Sequence, residues 1–209
     1  MCSSDLGRST SLNSVMKKLF TTTMELNVCL HLSYIRSNEN PADETSRRLS
    51  SIDCQLTENV WQNIQKEFGG PGGRTFDLMA LDSNAMKDKS GNSLSHFTPG
   101  PSPGSSRVNL FAQDLTRQGP AMQRPYVFPP LILVGPVLRL LESFKQSCTI
   151  VVLDIYPRKY WWPLLLHRSV KVQRMASKGD RTVLLRPSRQ GWVPHPGIPG
   201  NLWAFYVEF

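Results

Sequence analysis

The run Cys148-Thr-Ile-Val-Val-Leu-Asp-Ile155 constrains this chain more than any other. It is continuously apolar and rich in β-branched residues, with no polar alternation to give it a wet face. A segment of that kind is stable as a strand covered on both sides. Around it, strand-like and helix-like stretches alternate. "TFDLMAL" (75–81) reads as a buried strand, "YVFPPLILV" (126–134) as strand-like, and 137–145 as a helix. "RKYWWPLLLHR" (158–168) reads as an aromatic helix or turn, and "TVLLR" and "NLWAFYVEF" as further strands. Strands alternating with helices after Gly73 predict an α/β layer structure.

The N-terminal part has its own pattern. Leu12, Val15, Met16, Leu19, Phe20 and Met24 keep helical spacing, which predicts an amphipathic helix over 11–26. Asn27–Ile35 alternates as a strand, a short helix is expected from Pro41, and another from about Thr57 to Phe68. In that last helix Val60, Trp61, Ile64 and Phe68 share one face. "GGPGG" (69–73) breaks any regular element and is expected to be a hinge or a sharp turn. The expected organisation is therefore 1–68, a hinge at 69–73, and an α/β domain over 74–209. Residues 87–123 are rich in Ser, Pro, Gly and Asn and read as a long loop inside that domain, in which "RVNLFAQDL" (107–115) reads as a short strand or a helical turn.

Charge is unevenly distributed. The 209 residues carry a formal net charge of +8. Between Arg139 and Arg189 there are 11 Lys and Arg against three acids, and the rest of the chain balances. Such asymmetry suits a polyanion such as DNA or RNA, and equally suits a solvated surface. The four cysteines are far apart, no Cys-x-x-Cys pair occurs, and the histidines are scattered, so no zinc site is expected. With no signal-peptide pattern and no apolar run long enough to span a bilayer, the chain reads as intracellular, in nucleus or cytoplasm.

"SNENPADETSRRLS" (37–50) has two readings. Asn40 as N-cap, Pro41 in the first helical position and Asp43 in the first turn describe a well-started helix and need no function. With the preceding helix and "LSYIRS", however, the segment resembles the C-terminal end of the ribonuclease H domain in retrotransposon polyproteins. That resemblance covers roughly residues 9–50. It implies that Asp43 corresponds to the last carboxylate of a two-metal nuclease, with magnesium as the parent domain's cofactor. Two-metal phosphodiester hydrolysis needs several carboxylates around ions about 3.5–4 Å apart. Before Asp43 the only acids are Asp5, Glu25 and Glu39. Asp43 is therefore expected to be an orphaned ligand, and the chain to lack ribonuclease H activity by itself.

The segments "RTFDLMALDSNAM", "YVFPPLILVGPVL", "TIVVLDIYPRKYWWPLLL" and "NLWAFYVEF" resemble the region downstream of ribonuclease H in DIRS-like retroelements, over most of 74–209. In some of those elements this region is similar to phage-type DNA adenine methyltransferases. The resemblance implies a Rossmann-like methyltransferase-type domain in a chain whose parent element carries reverse transcriptase. Amino-methyl transfer requires Asp or Asn before Pro-Pro-aromatic, so that a polar side chain accepts from the target amine and a ring stacks on the flipped base. Here the motif is Phe128-Pro129-Pro130-Leu131, in which neither outer residue serves. No glycine-rich cofactor loop follows "FDLMA". Asp77, Asp82 and Asn84 are what remain for a cofactor.

The expected function is thus a retrotransposon polyprotein fragment without independent catalysis, acting with the rest of its polyprotein. One alternative is a domesticated nucleic-acid-binding protein using the basic segment 139–189. The other is a DNA adenine methyltransferase dependent on S-adenosylmethionine. In "YPRKYWW" (156–162), Arg158 and Lys159 are the candidate contacts to single-stranded nucleic acid, while most of the aromatics are expected in the core.

Overall fold

The computed structural model describes residues 10–29, 53–117, 123–155, 158–188 and 191–209. The chain divides into two compact units, Met1–Arg48 and Leu49–Phe209.

Of the first unit, α1 (Thr10–Glu25) and the turn after it are described. Val15, Met16, Leu19, Phe20 and Met24 project from α1 and are exposed, as is Val28 beyond it. The helix closes on Asn27 at φ 51°. The Asn27 N–H donates to Met24 O (3.2 Å) and the Val28 N–H to Thr23 O (2.9 Å), the paired bonds of a Schellman turn. Most of the strand expected over 27–35, the helix from Pro41 and Asp43 lie outside the described residues.

The second unit is a mixed α/β layer structure around a seven-stranded sheet. Its elements in chain order are β1 (Gln55–Leu56), α2 (Glu58–Phe68), β2 (Phe76–Asp77), β3 (Ser95–Thr98), β4 (Arg107–Val108), β5 (Pro125–Val127) and α3 (Val134–Ser143), followed by β6 (Cys148–Asp154), α4 (Trp162–Arg168), β7 (Ser169–Ala176), β8 (Leu184–Ser188), β9 (Gly191–Pro194) and β10 (Asn201–Val207). The large sheet has the order β4-β3-β2-β5-β6-β10-β7, and β1-β8-β9 form a small antiparallel sheet. From β4 to β6 all neighbours are parallel. β10 is antiparallel to both β6 and β7, so it alone is reversed.

The continuous apolar run is explained by cover on both faces. Ile150 and Val152 of β6 enter one cluster with Val127, Phe205, Val207 and the helices α3 and α4. Val151 enters the other, with Tyr126, Leu202, Ala204, the α2 residues Val60, Trp61, Ile64 and Phe68, and Leu184 of the small sheet. Each of the three β6 side chains is fully buried, which contributes about 1.5–3 kcal/mol apiece. Gly200 precedes β10 because only a missing side chain fits there: a Cβ would stand 2.2 Å from the Asp154 carbonyl oxygen.

Several expectations are corrected. The compact unit begins at Leu49, so α2 belongs to it, and Gly69–Gly73 is a turn inside it rather than a hinge between domains. Gly70, Gly72 and Gly73 take positive φ there. Gln65 fastens the turn, with Nε2 donating to Arg74 O (3.2 Å) and Oε1 accepting from the Arg74 N–H (2.6 Å). Within 87–123, the segment 107–115 holds both the short strand β4 and a 3-10 turn at Leu110–Ala112, while β3 and a second 3-10 turn at Leu115–Arg117 depart from the expected long loop. β5 stops before Pro129-Pro130, which supply no donors for a ladder, and α3 starts earlier than expected, at Val134. β7 has no counterpart among the sequence expectations.

α3 ends like α1, in a Schellman turn. The Lys145 N–H donates to Glu142 O (3.1 Å) and the Gln146 N–H to Leu141 O (2.9 Å). Here, however, the left-handed position is held by an exposed lysine at φ 49°. A Cβ in that conformation costs about 1–2 kcal/mol, which glycine avoids. Lys145→Gly is therefore expected to raise stability by about 1 kcal/mol in urea melts, whereas Asn27→Gly should be close to neutral.

Candidate functional site

In an open parallel sheet, ligands bind outside the carboxyl ends of the strands, where neighbouring connections leave in opposite directions. In this sheet that point lies between β2 and β5: the chain passes outward from β2 to β3 and β4, then returns to β5. Two of the sequence-derived groups meet there. Asp77 ends β2, and Phe128-Pro129-Pro130-Leu131 follows β5. The Leu78 N–H donates to Tyr126 O (2.9 Å) and stitches the two together.

Asp77 is in register with His96 of β3 on one side and Tyr126 of β5 on the other. It is 4% exposed. Its Oδ1 accepts from the Met79 N–H at 3.1 Å. Burial pushes its carboxyl up to about 7, against the smaller opposing pull of the Met79 N–H and the His96 ring. The position reads as an internal polar group of the sheet.

Asp82 faces differently. Its Oδ2 accepts from the Ser102 hydroxyl and from the Gly104 N–H (2.9 Å), and its Oδ1 lies 2.9 Å from His96 Nε2. The Ser102 hydroxyl, the Gly104 amide and His96 together hold this carboxyl down at about 2. The other His96 nitrogen, Nδ1, lies 2.8 Å from Leu94 O. Both neighbours only accept, so both contacts are hydrogen bonds when each ring nitrogen carries a proton. The result is a clasp joining the segment after β2 to the segment after β3. Three of this carboxylate's acceptor positions are taken by the protein itself. Asn84 is also committed: its Oδ1 accepts from the Leu81 N–H (2.7 Å) and its Nδ2 donates to Cys54 O (3.4 Å).

Beyond β5, Phe128 packs against the α2-side core and Pro129 is buried. Leu131 packs against the opposite core cluster and lines a shallow recess of about 10 Å³ with Asp154, Arg158, Lys159, Trp161 and Trp162. That volume is the size of one water. Trp161 and Trp162 are buried, while Arg158 and Lys159 are exposed. Arg158 makes a two-point contact to Asp154, Nε to Oδ1 and Nη2 to Oδ2, both at 3.1 Å, and lies 4.7 Å from the centre of the Trp162 ring. Tyr156 lies outside the described residues.

The sequence reading missed His96, Ser102 and Gly104, which complete the clasp on Asp82. A lone histidine in a Ser- and Pro-rich stretch carries no local signal, because its role exists only once β2 and β3 are paired. Among the described residues, no group of three or more His, Cys, Asp or Glu is placed to hold a metal ion, and no helix is long and apolar enough to cross a membrane. Fold and site together define a mixed α/β domain with a mostly parallel sheet and, beside its switch point, two polar segments joined across β2 and β3. No protein-family model matches the chain, and no curated protein matches it at a significant level.

Proposed function

We propose that residues 49–209 are a methyltransferase-like domain of a DIRS-like retrotransposon polyprotein, without methyl-transfer chemistry, and that residues 9–48 derive from the end of its ribonuclease H domain. The observation that supports this reading is the sheet order. A parallel sheet with one reversed strand, β10, inserted between the last two parallel strands is the arrangement expected of a methyltransferase-type fold. Within it, Pro129-Pro130 follows the strand beside the switch point, where such a fold presents its target base.

The chemistry of that place argues for lost transfer. The Phe128 side chain offers no acceptor to an exocyclic amine. Leu131 offers no ring to a flipped base. Asp82 and Asn84 spend their oxygens on the protein's own amides and hydroxyls. Neither S-adenosylmethionine nor magnesium is needed for the proposed role, which is carried out within the larger polyprotein.

The expected result is that the full chain transfers no labelled methyl group from S-adenosylmethionine to adenine in duplex DNA. Its melting temperature should also be unmoved by that cofactor. A ligand present at 100 times its Kd would stabilise the fold by about 2.7 kcal/mol. A cofactor-dependent shift of that size, or label in the DNA, would establish the methyltransferase alternative instead. The origin itself is tested in genomic DNA: an open frame upstream encoding a polymerase and the missing acidic strands supports the polyprotein reading, and a promoter with its own start opposes it.

A further inference from the structure

The reversed strand brings two distant basic segments to one edge. β7 is antiparallel to β10, which is antiparallel to β6, so β6 and β7 point the same way and their carboxyl ends share one border of the sheet. In register, Asn201 stands opposite Asp154 at the end of β6, and Leu202 opposite Ala176 at the end of β7. The two strand ends are two strand spacings, or about 10 Å, apart; Lys159 follows the first and Lys178 and Arg181 follow the second. All three are exposed.

The border is a firm one. The Lys178 N–H donates to Asn201 Oδ1 (3.0 Å), the Gly179 N–H to Ile198 O (2.8 Å) and the Ile198 N–H to Asp180 O (3.0 Å). Two acids lie among the cations, and both are engaged: Asp154 by Arg158, and Asp180 by the Thr182 N–H and hydroxyl, each at 2.8 Å.

An aromatic platform stands at one end. Tyr160 is 69% exposed, although the two tryptophans that follow it are buried. Its ring is seated over Gly135 of α3, where a Cβ would come within 2.2 Å of the tyrosine hydroxyl. The Arg139 guanidinium lies 5.9 Å from the ring centre. Ile132, just beyond Pro129-Pro130, is 82% exposed. An exposed ring backed by a guanidinium, next in sequence to the exposed Lys159, matches the chemistry of a flexible polyanion whose units carry flat faces.

We infer that the carboxyl border of β6 and β7 binds single-stranded nucleic acid, with a base stacked on Tyr160 and phosphates held by Lys159, Lys178 and Arg181. This stands whether or not the domain is methyltransferase-derived, so failure of either idea leaves the other intact.

The test is fluorescence anisotropy of a labelled oligothymidylate with the full chain at low and moderate salt, beside an abasic oligonucleotide of equal length. Lys159→Ala/Lys178→Ala/Arg181→Ala should weaken binding to both at least tenfold and flatten the dependence on salt. Tyr160→Ala should weaken the oligothymidylate about tenfold and leave the abasic strand unchanged. A control pair at the opposite border, Lys66→Ala/Arg107→Ala, should change binding less than twofold. Four outcomes would each overturn the assignment: no binding at low salt, equal losses from the control pair, a Tyr160→Ala effect that does not distinguish the two strands, or tighter binding of polyglutamate than of either oligonucleotide.

Discussion

Trp61→Ala should destabilise the unit Leu49–Phe209 by about 3–5 kcal/mol, lowering its melting temperature by on the order of 10 °C. The indole is 1% exposed and sits in the core cluster between α2 and the sheet. It meets the Tyr126 ring edge-on at 4.9 Å between centres, and its Nε1–H donates to Lys87 O at 2.7 Å. Alanine leaves a cavity and an unmet carbonyl at once. Trp61→Phe fills most of the space and loses only the hydrogen bond, at a cost of about 1–2 kcal/mol. The measurement is hydrogen exchange of the β6 amides together with a circular-dichroism melt. Because α2 lies before the glycine turn, the experiment also decides where the domain begins. Unchanged protection of β6 in Trp61→Ala would return α2 to the N-terminal unit.

Asp77→Asn should raise stability at pH 8 by up to about 4 kcal/mol, with the gain vanishing toward pH 4. The sign follows from the raised carboxyl. Burial lifts Asp77 from the ordinary value of 3.8 to about 7, so the folded state holds its proton where the unfolded state has released it. The group's contribution is most favourable below about pH 4, is lost as pH rises to 7, and is level above that. Each pH unit in the window is worth about 1.4 kcal/mol. Asparagine is neutral throughout and keeps an oxygen for the Met79 N–H. The acid limb belongs to other groups. Asp82 and Asp180 are held below their ordinary range by hydrogen bonds, so their contribution is present above pH 4 and is lost as pH falls, that of Asp82 toward pH 2. Denaturant melts of both proteins from pH 3 to 9 test the assignment. A variant less stable than its parent at pH 8 would show that charged Asp77 supports the sheet through His96.

What could be read in the residues beforehand was whatever a single segment decides. β6 announces itself because Ile150, Val151, Val152 and Leu153 form an unbroken apolar run, and α2 because Val60, Trp61, Ile64 and Phe68 repeat at helical spacing. What escaped depends on pairing. β3 is four residues long, too short for a pattern, and exists because β2 offers it an edge. β7 runs on from α4 without a turn residue, and its exposed Val170 and Val172 alternate with Lys171 and Gln173 in a way that suggests surface rather than sheet. The glycine turn was read as a boundary because glycine reports backbone freedom and not what the turn joins. Of the candidate site, Asp77 and the Pro-Pro segment were visible as residues. Their meeting between β2 and β5, and the engagement of Asp82 by His96, Ser102 and Gly104, are properties of the assembled sheet.

The reversed strand also sets an order of assembly. β6 and β7 are translated well before the seven residues that come to lie between them. Until those residues emerge from the ribosome, the two strands have no native ladder to share, and the faces of Ile150, Val152 and Leu165 lack the cover of Phe205. A nascent chain in that condition exposes sticky edges, a state chaperones exist to shelter. Closure is then a late insertion, as a keystone completes an arch only after both sides stand.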